Sequence, residues 1–252
     1  YGDRVRTTDD NRREELEDMI EDTVGKSGTL LIPAFSTERT QDLLFEVRAL
    51  MMEKRVPSVP VYIDSPLASK ITAAYQAHPS YFSTAMEERI KGGEKIFEFP
   101  ELKFVEDVEE SARVSTLAGP KIVIAGSGMS NGGRVHMHQE HMFNDPDSTL
   151  LIVGYQAAGS LGRRLIEGDR NVFLRGKKIH VRCNIKAIYG YSAHMDGEQL
   201  LEFVNKTGKS LQEVFVVMGE PSSASFLAQR IRDYLGIKAT TPEAGEAAEI
   251  EF

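Results

Sequence analysis

Lys121-Ile122-Val123-Ile124-Ala125 runs without a break into Gly126-Ser127-Gly128-Met129-Ser130-Asn131-Gly132-Gly133-Arg134. An apolar run of strand length without polar alternation predicts a strand covered on both faces, and the glycines predict an abrupt turn at its carboxyl end. The same grammar recurs outward from this stretch. Thr29-Leu30-Leu31-Ile32-Pro33 leads into Ala34-Phe35-Ser36-Thr37, Val59 to Asp64 leads into Ser65-Pro66, and Thr149-Leu150-Leu151-Ile152-Val153 ends at Gly154. Between these runs apolar residues fall at helical spacing, as with Leu16, Met19, Ile20 and Val24 in the segment Asp9 to Lys26. Ser36 or Thr37 is expected to cap a helix reaching about Lys54, and Pro66 suits the first turn of a helix continuing toward Ala77. Strands and helices alternating in this way predict an α/β fold, a mainly parallel sheet with helices on both faces.

After Gly176 the pattern changes. Strands are expected at Lys177 to His180, Ile185 to Tyr189 and Val214 to Val217, with helices from about Met195 to Asn205 and from Ser222 to Tyr234. The expected organisation is a connecting segment at residues 1–9, an α/β domain at 10–176 and a second segment at 177–252. Tyr1-Gly2-Asp3-Arg4 is turn-like and lacks a leading methionine, so it reads as the edge of an excised segment. The acidic run Glu106 to Glu110 reads as the start of a solvated helix.

With 252 residues and 41% apolar content the chain can bury a sizeable core. It has a charged N-terminus and no apolar run of about 18 residues, so neither a membrane partner nor secretion is expected, and a cytoplasmic location is. A single cysteine, Cys183, excludes an internal disulfide and a cysteine-based zinc cluster, which suits a reducing compartment. The net charge of −8 weighs against a polyanionic partner, although 30 Lys and Arg leave room for a local basic groove.

In open α/β sheets, ligands bind beyond the carboxyl ends of the strands. Four loops qualify here: Ala34 to Arg39, Asp64 to Ser69, Gly126 to Arg134, and Gly154 to Arg163. Gly126, Gly128, Gly132 and Gly133 permit close backbone approach to a phosphate, and Arg134 adds charge. The loop matches neither the dinucleotide fingerprint nor the triphosphate loop, and glycines that merely make a tight turn are the competing explanation. Small polar residues paired with arginines recur after the strands (Ser36 with Arg39, Ser127 with Arg134, Ser160 with Arg163) and favour an anion groove.

Three histidines crowd His136-Met137-His138-Gln139-Glu140-His141, but on a helix positions 136 and 138 diverge by about 200°, so a three-ligand metal site would need a loop. A helix whose histidines face a groove or pack structurally is expected instead. Tyr191-Ser192-Ala193-His194-Met195-Asp196 places Ser192 and His194 at a strand-to-helix corner with Asp196 at the helix start. A histidine there can serve as a general acid or hold a leaving oxygen, or it can simply cap the helix.

Leu31-Ile32-Pro33-Ala34-Phe35 with Glu38-Arg39-Thr40-Gln41, then Tyr62-Ile63-Asp64-Ser65-Pro66-Leu67-Ala68, Gly126-Ser127-Gly128-Met129, Gly154-Tyr155-Gln156 with Gly159 to Gly162, and Ser192-Ala193-His194 with Asp196 form an ordered set. Together with Tyr1-Gly2 the set resembles the β-CASP family of metallo-β-lactamase-fold RNA-processing nucleases, over nearly the whole chain. The resemblance implies a β-CASP clamp domain followed by the C-terminal part of a metallo-β-lactamase αββα fold. It implies two zinc ions that activate a water to attack an RNA phosphodiester, with His194 assisting the leaving group and Ser192 holding a phosphate oxygen. The strand-loop pattern predicts that the RNA phosphates run along the loops after the strands, with contacts at Ser36, Arg39, Asp64, Ser65, Gly126, Ser127, Gly128 and Arg134. The partners that the resemblance implies are single-stranded RNA and a missing N-terminal metallo-β-lactamase half, with a homodimer left open.

Two departures stand out. The His-x-His-x-Asp-His motif of the family is absent from these residues, so no metal ligand is expected in this segment. At Val217-Met218-Gly219-Glu220 the pattern usually has a zinc-binding histidine where Met218 puts a soft thioether. Three functions therefore stay open: a zinc-dependent ribonuclease whose segment here is inactive alone, a catalytically silent RNA-binding or scaffold subunit, and a phosphate- or nucleotide-binding enzyme unrelated to RNA.

Overall fold

The computed structural model describes residues 2, 3, 5, 9–208 and 210–249. Of the expected opening turn, Gly2 and Asp3 do form a turn, while Tyr1 and Arg4 lie outside the described residues. Backbone contacts divide the chain into a larger unit ending at Tyr191 and a smaller one that begins at Ser192 and includes Gly2.

In the larger unit α1 (Asp9–Gly25) precedes β1 (Thr29–Pro33), α2 (Arg39–Met52), β2 (Val61–Asp64) and α3 (Pro66–Ala77). A short 3-10 turn (Pro79–Tyr81), α4 (Thr84–Lys91), β3 (Leu102–Phe104), α5 (Val108–Thr116) and β4 (Lys121–Ala125) follow. The unit then runs through α6 (Val135–Met142), β5 (Thr149–Ile152), α7 (Leu161–Ile166), β6 (Asn171–Leu174), β7 (Lys177–His180) and β8 (Asn184–Ala187). Six strands form one sheet in the order β3-β2-β4-β1-β5-β8, with every pair parallel. The expected α/β class and parallel sheet are therefore what the chain adopts.

Strand periodicity explains the two-sided core. Leu30, Ile32, Ile122 and Ile124 pack on one side with Leu16, Ile20, Leu43 and Val47, whereas Leu31, Val123 and Leu150 pack on the other with Val114, Val135 and Leu165. Asp107 caps α5 by accepting the Glu110 N–H at 2.6 Å, which accounts for the acidic run as a helix start. The polar first residue of β4 is also explained. Lys121 is 3% exposed and donates to the carbonyls of Val114 (2.7 Å) and Leu117 near the end of α5, and its burial pushes the ammonium down to about 8. Cys183 is buried in the second core, and that burial pushes its thiol up to about 12, so it behaves as a small hydrophobe.

Residues 177–191 lie within the larger unit. β8 extends the sheet by pairing with β5, from Thr149 opposite Asn184 to Ile152 opposite Ala187, and Ile188 and Tyr191 join the core beneath α1 and α2. β6 and β7 form an antiparallel hairpin outside the sheet, with Val172, Leu174 and Ile179 buried and Phe173 exposed. In the smaller unit α8 (Gly197–Lys206), β9 (Glu213–Phe215), α9 (Pro221–Arg230) with a π-helical extension (Ile231–Leu235), and β10 (Lys238–Thr240) surround a compact cluster of Val204, Leu227, Ala228, Ile231 and Ala239. β9 and β10 pair in parallel. Among the described residues no helix is long and apolar enough to cross a membrane.

Candidate functional site

The chain leaves β1 toward β2 on one side and leaves β4 toward β5 on the other. Such a switch point opens a crevice at the carboxyl ends of the two strands, and two of the expected loops meet there. Ala34 N–H donates to the Ala125 carbonyl at 2.9 Å, so the loops start in register. A Cβ on Gly128 would come within 3.1 Å of the Phe35 ring and of its backbone nitrogen, so only glycine lets the loops approach this closely. The loop after β5 closes against them: Gln156 Nε2 donates to the Gly128 carbonyl at 2.9 Å and Gly162 N–H to the Met129 carbonyl at 3.2 Å.

Neither Ser36 nor Thr37 caps α2. Glu38 occupies that position, at φ +63° and without a side-chain bond to the helix. Ser36 is held elsewhere, its Oγ 3.1 Å from Ser65 Oγ and its carbonyl accepting from Gln41 Nε2 at 3.2 Å. Ser65 caps α3, accepting the Ala68 N–H at 3.2 Å, and Pro66 stands in the first turn as expected. Gly126 faces Ser65, since a Cβ added there would lie 3.7 Å from Ser65 Oγ. Ser36, Ser65, Gly126 and Ser127 thus share the rim of the crevice, each only partly buried.

Asp64 and Arg134 lie behind that rim. Asp64 is fully buried, and its carboxylate accepts from Arg134 Nη1 at 2.9 Å, from His138 Nε2 at 2.6 Å and from Ser111 Oγ. Arg134 also donates to the carbonyls of Val105 (3.0 Å) and Glu106 (2.6 Å). Burial pushes the Asp64 carboxyl up, but the hydrogen bonds from His138, Ser111 and Arg134 outweigh it and hold the group below the usual carboxylate value. Arg39 pairs with Asp42 at 3.2 Å and lies 5.9 Å over the Tyr191 ring. Arg163 pairs with Glu167 at 2.6 Å. The arginines that follow the strands thus have carboxylate partners, and the rim itself offers hydroxyls and backbone groups.

His138 and Ser111 were not among the expected site residues. The signal for His138 was its place in a histidine-rich run; the helical geometry that separates it from His136 also sends them to different partners. His136 Nε2 lies 2.8 Å from the Ser130 carbonyl, while His138 serves Asp64. A second network was likewise missed: Glu46 joins Arg12 and the Tyr191 hydroxyl, and Arg12 lies 4.6 Å over the Tyr191 ring. Burial and then the Glu46 charge push the Tyr191 hydroxyl up, so it stays a donor. A carboxylate inside the apolar stripe Leu43, Leu44, Val47 and Leu50 was the available signal.

Within the smaller unit, Ser192 Oγ lies 3.3 Å from His194 Nδ1 and accepts the His194 backbone N–H at 3.2 Å. Asp196 starts α8 with a capping box, accepting the Gln199 N–H at 2.9 Å while Gln199 Oε1 accepts the Asp196 N–H at 3.1 Å. The corner is therefore rigid at Asp196 and exposes the His194 ring. Met218, at φ +66°, is fully exposed. Among the described residues no three His, Cys, Asp or Glu side chains gather as a metal site, and a thioether at Met218 is a poor partner for zinc. The residues present do not fit a zinc centre by themselves.

A doubly wound sheet with serine- and glycine-built loops at its switch point defines the larger unit as an open α/β domain, followed by a smaller unit. Comparison with known proteins places it further. Residues 40–165, half of the chain, match the Beta-Casp domain, and residues 178–242 match the Zn-dependent metallo-hydrolase RNA specificity domain. The chain belongs to the β-CASP family of metallo-β-lactamase-fold RNA nucleases. It is similar to Ribonuclease TTHA0252 of Thermus thermophilus, at 33% identity over 204 residues covering 81% of this chain and 47% of that protein. It is also similar to Transcription termination factor FttA of Methanothermobacter thermautotrophicus (31%, 96% of this chain, 39% of that protein) and of Methanosarcina mazei (29%, 88% and 36%). The chain spans less than half the length of these relatives.

Proposed function

We propose that the chain is the RNA-handling portion of a cytoplasmic, zinc-dependent ribonuclease that hydrolyses RNA phosphodiester bonds. The observation that carries this reading is the convergence of Ser36, Ser65, Gly126 and Ser127 on the crevice at the carboxyl ends of β1, β2 and β4. Hydroxyls and backbone N–H groups there would hold phosphate oxygens of single-stranded RNA, and Gly128 would keep the loops close. Asp64, Arg134 and Arg39 would position these loops through their ion pairs. Net charge −8 is compatible with such a rim, because its recognition rests on hydrogen bonds more than on uncompensated cations.

In the smaller unit His194, oriented by Ser192, would donate a proton to the leaving oxygen. The two zinc ions would supply the attacking hydroxide and would be held by residues other than those of this segment, which alone would be inactive. A second reading has its own support. Met218 stands where the family pattern has a zinc-binding histidine, and relatives named as transcription termination factors show that the fold serves proteins described by a role other than ribonuclease. On that reading the protein binds RNA without cutting it.

A nuclease assay on labelled single-stranded RNA with Zn²⁺ separates the two, using the full-length protein, His194→Ala and Met218→His. Cleavage that drops by roughly 10²–10⁴ in His194→Ala supports the enzyme. No cleavage by the wild type and a gain in Met218→His supports the silent binder, and inactivity of all three with RNA binding intact overturns the nuclease reading.

A further inference from the structure

A cleft of about 540 Å³ on α3 and the turn after it is lined by Ala74, Tyr75, His78, Tyr81 and Phe82. Its size falls in the usual range for a small-ligand site. Tyr75 and Phe82 meet edge to face at 5.9 Å, as do His78 and Tyr81 at 6.2 Å, so the walls are fixed aromatic planes. Tyr81 is 89% exposed, so its ring is open to a ligand.

The cleft is tied to the serine rim. Gln41 Nε2 bridges the Ser36 carbonyl (3.2 Å) and Thr72 Oγ1 (2.9 Å), which pins α3 to the loop after β1. Burial, with the Glu38 and Asp42 carboxylates, pushes the Tyr75 hydroxyl up.

We propose that this cleft holds an unpaired nucleobase of the nucleic acid whose phosphates follow the Ser36, Ser65 and Ser127 rim, with Tyr81 and His78 as stacking faces. The inference rests on the phosphate-rim reading above and adds a base subsite to it. Stacking on aromatic side chains tolerates every base, since each has a π-face.

Fluorescence anisotropy of the full-length protein at low salt, with a metal chelator present to prevent cleavage, tests it, using a labelled single-stranded RNA and a sugar-phosphate strand of equal length that lacks bases. Tyr81→Ala is expected to weaken the RNA about fivefold or more and to leave the abasic strand unchanged, while Tyr81→Phe retains affinity for both. Ser65→Ala is expected to weaken both strands. Unchanged RNA affinity in a Tyr81→Ala, His78→Ala double variant overturns the base subsite while leaving the rim standing, as does an equal loss on both strands. If the wild-type protein binds neither strand, the rim reading fails and the subsite with it.

Discussion

The two units of the chain solve the same problem, burying apolar side chains, in different ways. The larger unit sandwiches its sheet between helices and leaves β1, β4 and β5 covered on both faces. The smaller unit has a five-residue buried cluster and exposes Phe203, Val217, Phe226 and Tyr234 at 46–71%. A unit with its own two-sided core can afford a buried charge network, because packed neighbours hold Asp64, His138 and Arg134 in place. The smaller unit keeps its polar chemistry at a helix cap, where local hydrogen bonds suffice.

The largest test of that contrast is Asp64→Asn. Removing the central charge strands Arg134 and His138, and a loss of about 3–5 kcal/mol in urea unfolding followed by circular dichroism is expected. A loss below about 1 kcal/mol would mean that the network does not hold the larger unit together. The same group gives a pH signature. Since the folded-state value is depressed, its contribution is complete above the unfolded value of about 4 and disappears as pH falls through the lower folded value. Thermal melts should show a steeper loss of stability below about pH 4 in wild type than in Asp64→Asn.

Gly162→Ala should come next, since the added Cβ would fall 1.8 Å from Gln156 Oε1 and force that buried side chain off the Gly128 carbonyl. Overpacking of this kind costs about 1–3 kcal/mol, and the variant should also weaken RNA binding by loosening the glycine-rich loop. The smallest effect belongs to the other unit. Phe226→Gln changes a ring that is 46% exposed, and stability of the chain should move by no more than about 0.5 kcal/mol. A loss several times larger would show that this face is packed, and would erase the contrast between the units.

Much of the larger unit was legible because its signals are local. Five-residue apolar runs, the Ser65-Pro66 helix start and the Asp107 cap each act within a few residues, and the structure places strands and helices there. The expected cap at Ser36 or Thr37 misled because the competing partner, Ser65, is distant in sequence. That β8 joins the sheet was not legible, because the strand is short and only its pairing with β5, distant in sequence, shows where it belongs. Asp64 and Arg134 were singled out for phosphate contact by their place in the loops after the strands, yet each is engaged by the other and by His138, Ser111 and two carbonyls.

By itself, the sequence determined the α/β class, the loops at the strand ends and the ordered motifs that mark the family, since periodicity and turn chemistry are properties of neighbouring residues. Only the tertiary structure decided which side chains of those loops reach the crevice. It turned Asp64, Arg134 and Arg39 into ion-paired supports, brought Ser36 to Ser65, and built an aromatic cleft from the end of α3 and the turn after it. The physical reason is that a charge or hydroxyl takes its role from its nearest partners in space, and parallel-sheet crossovers bring together residues tens of positions apart.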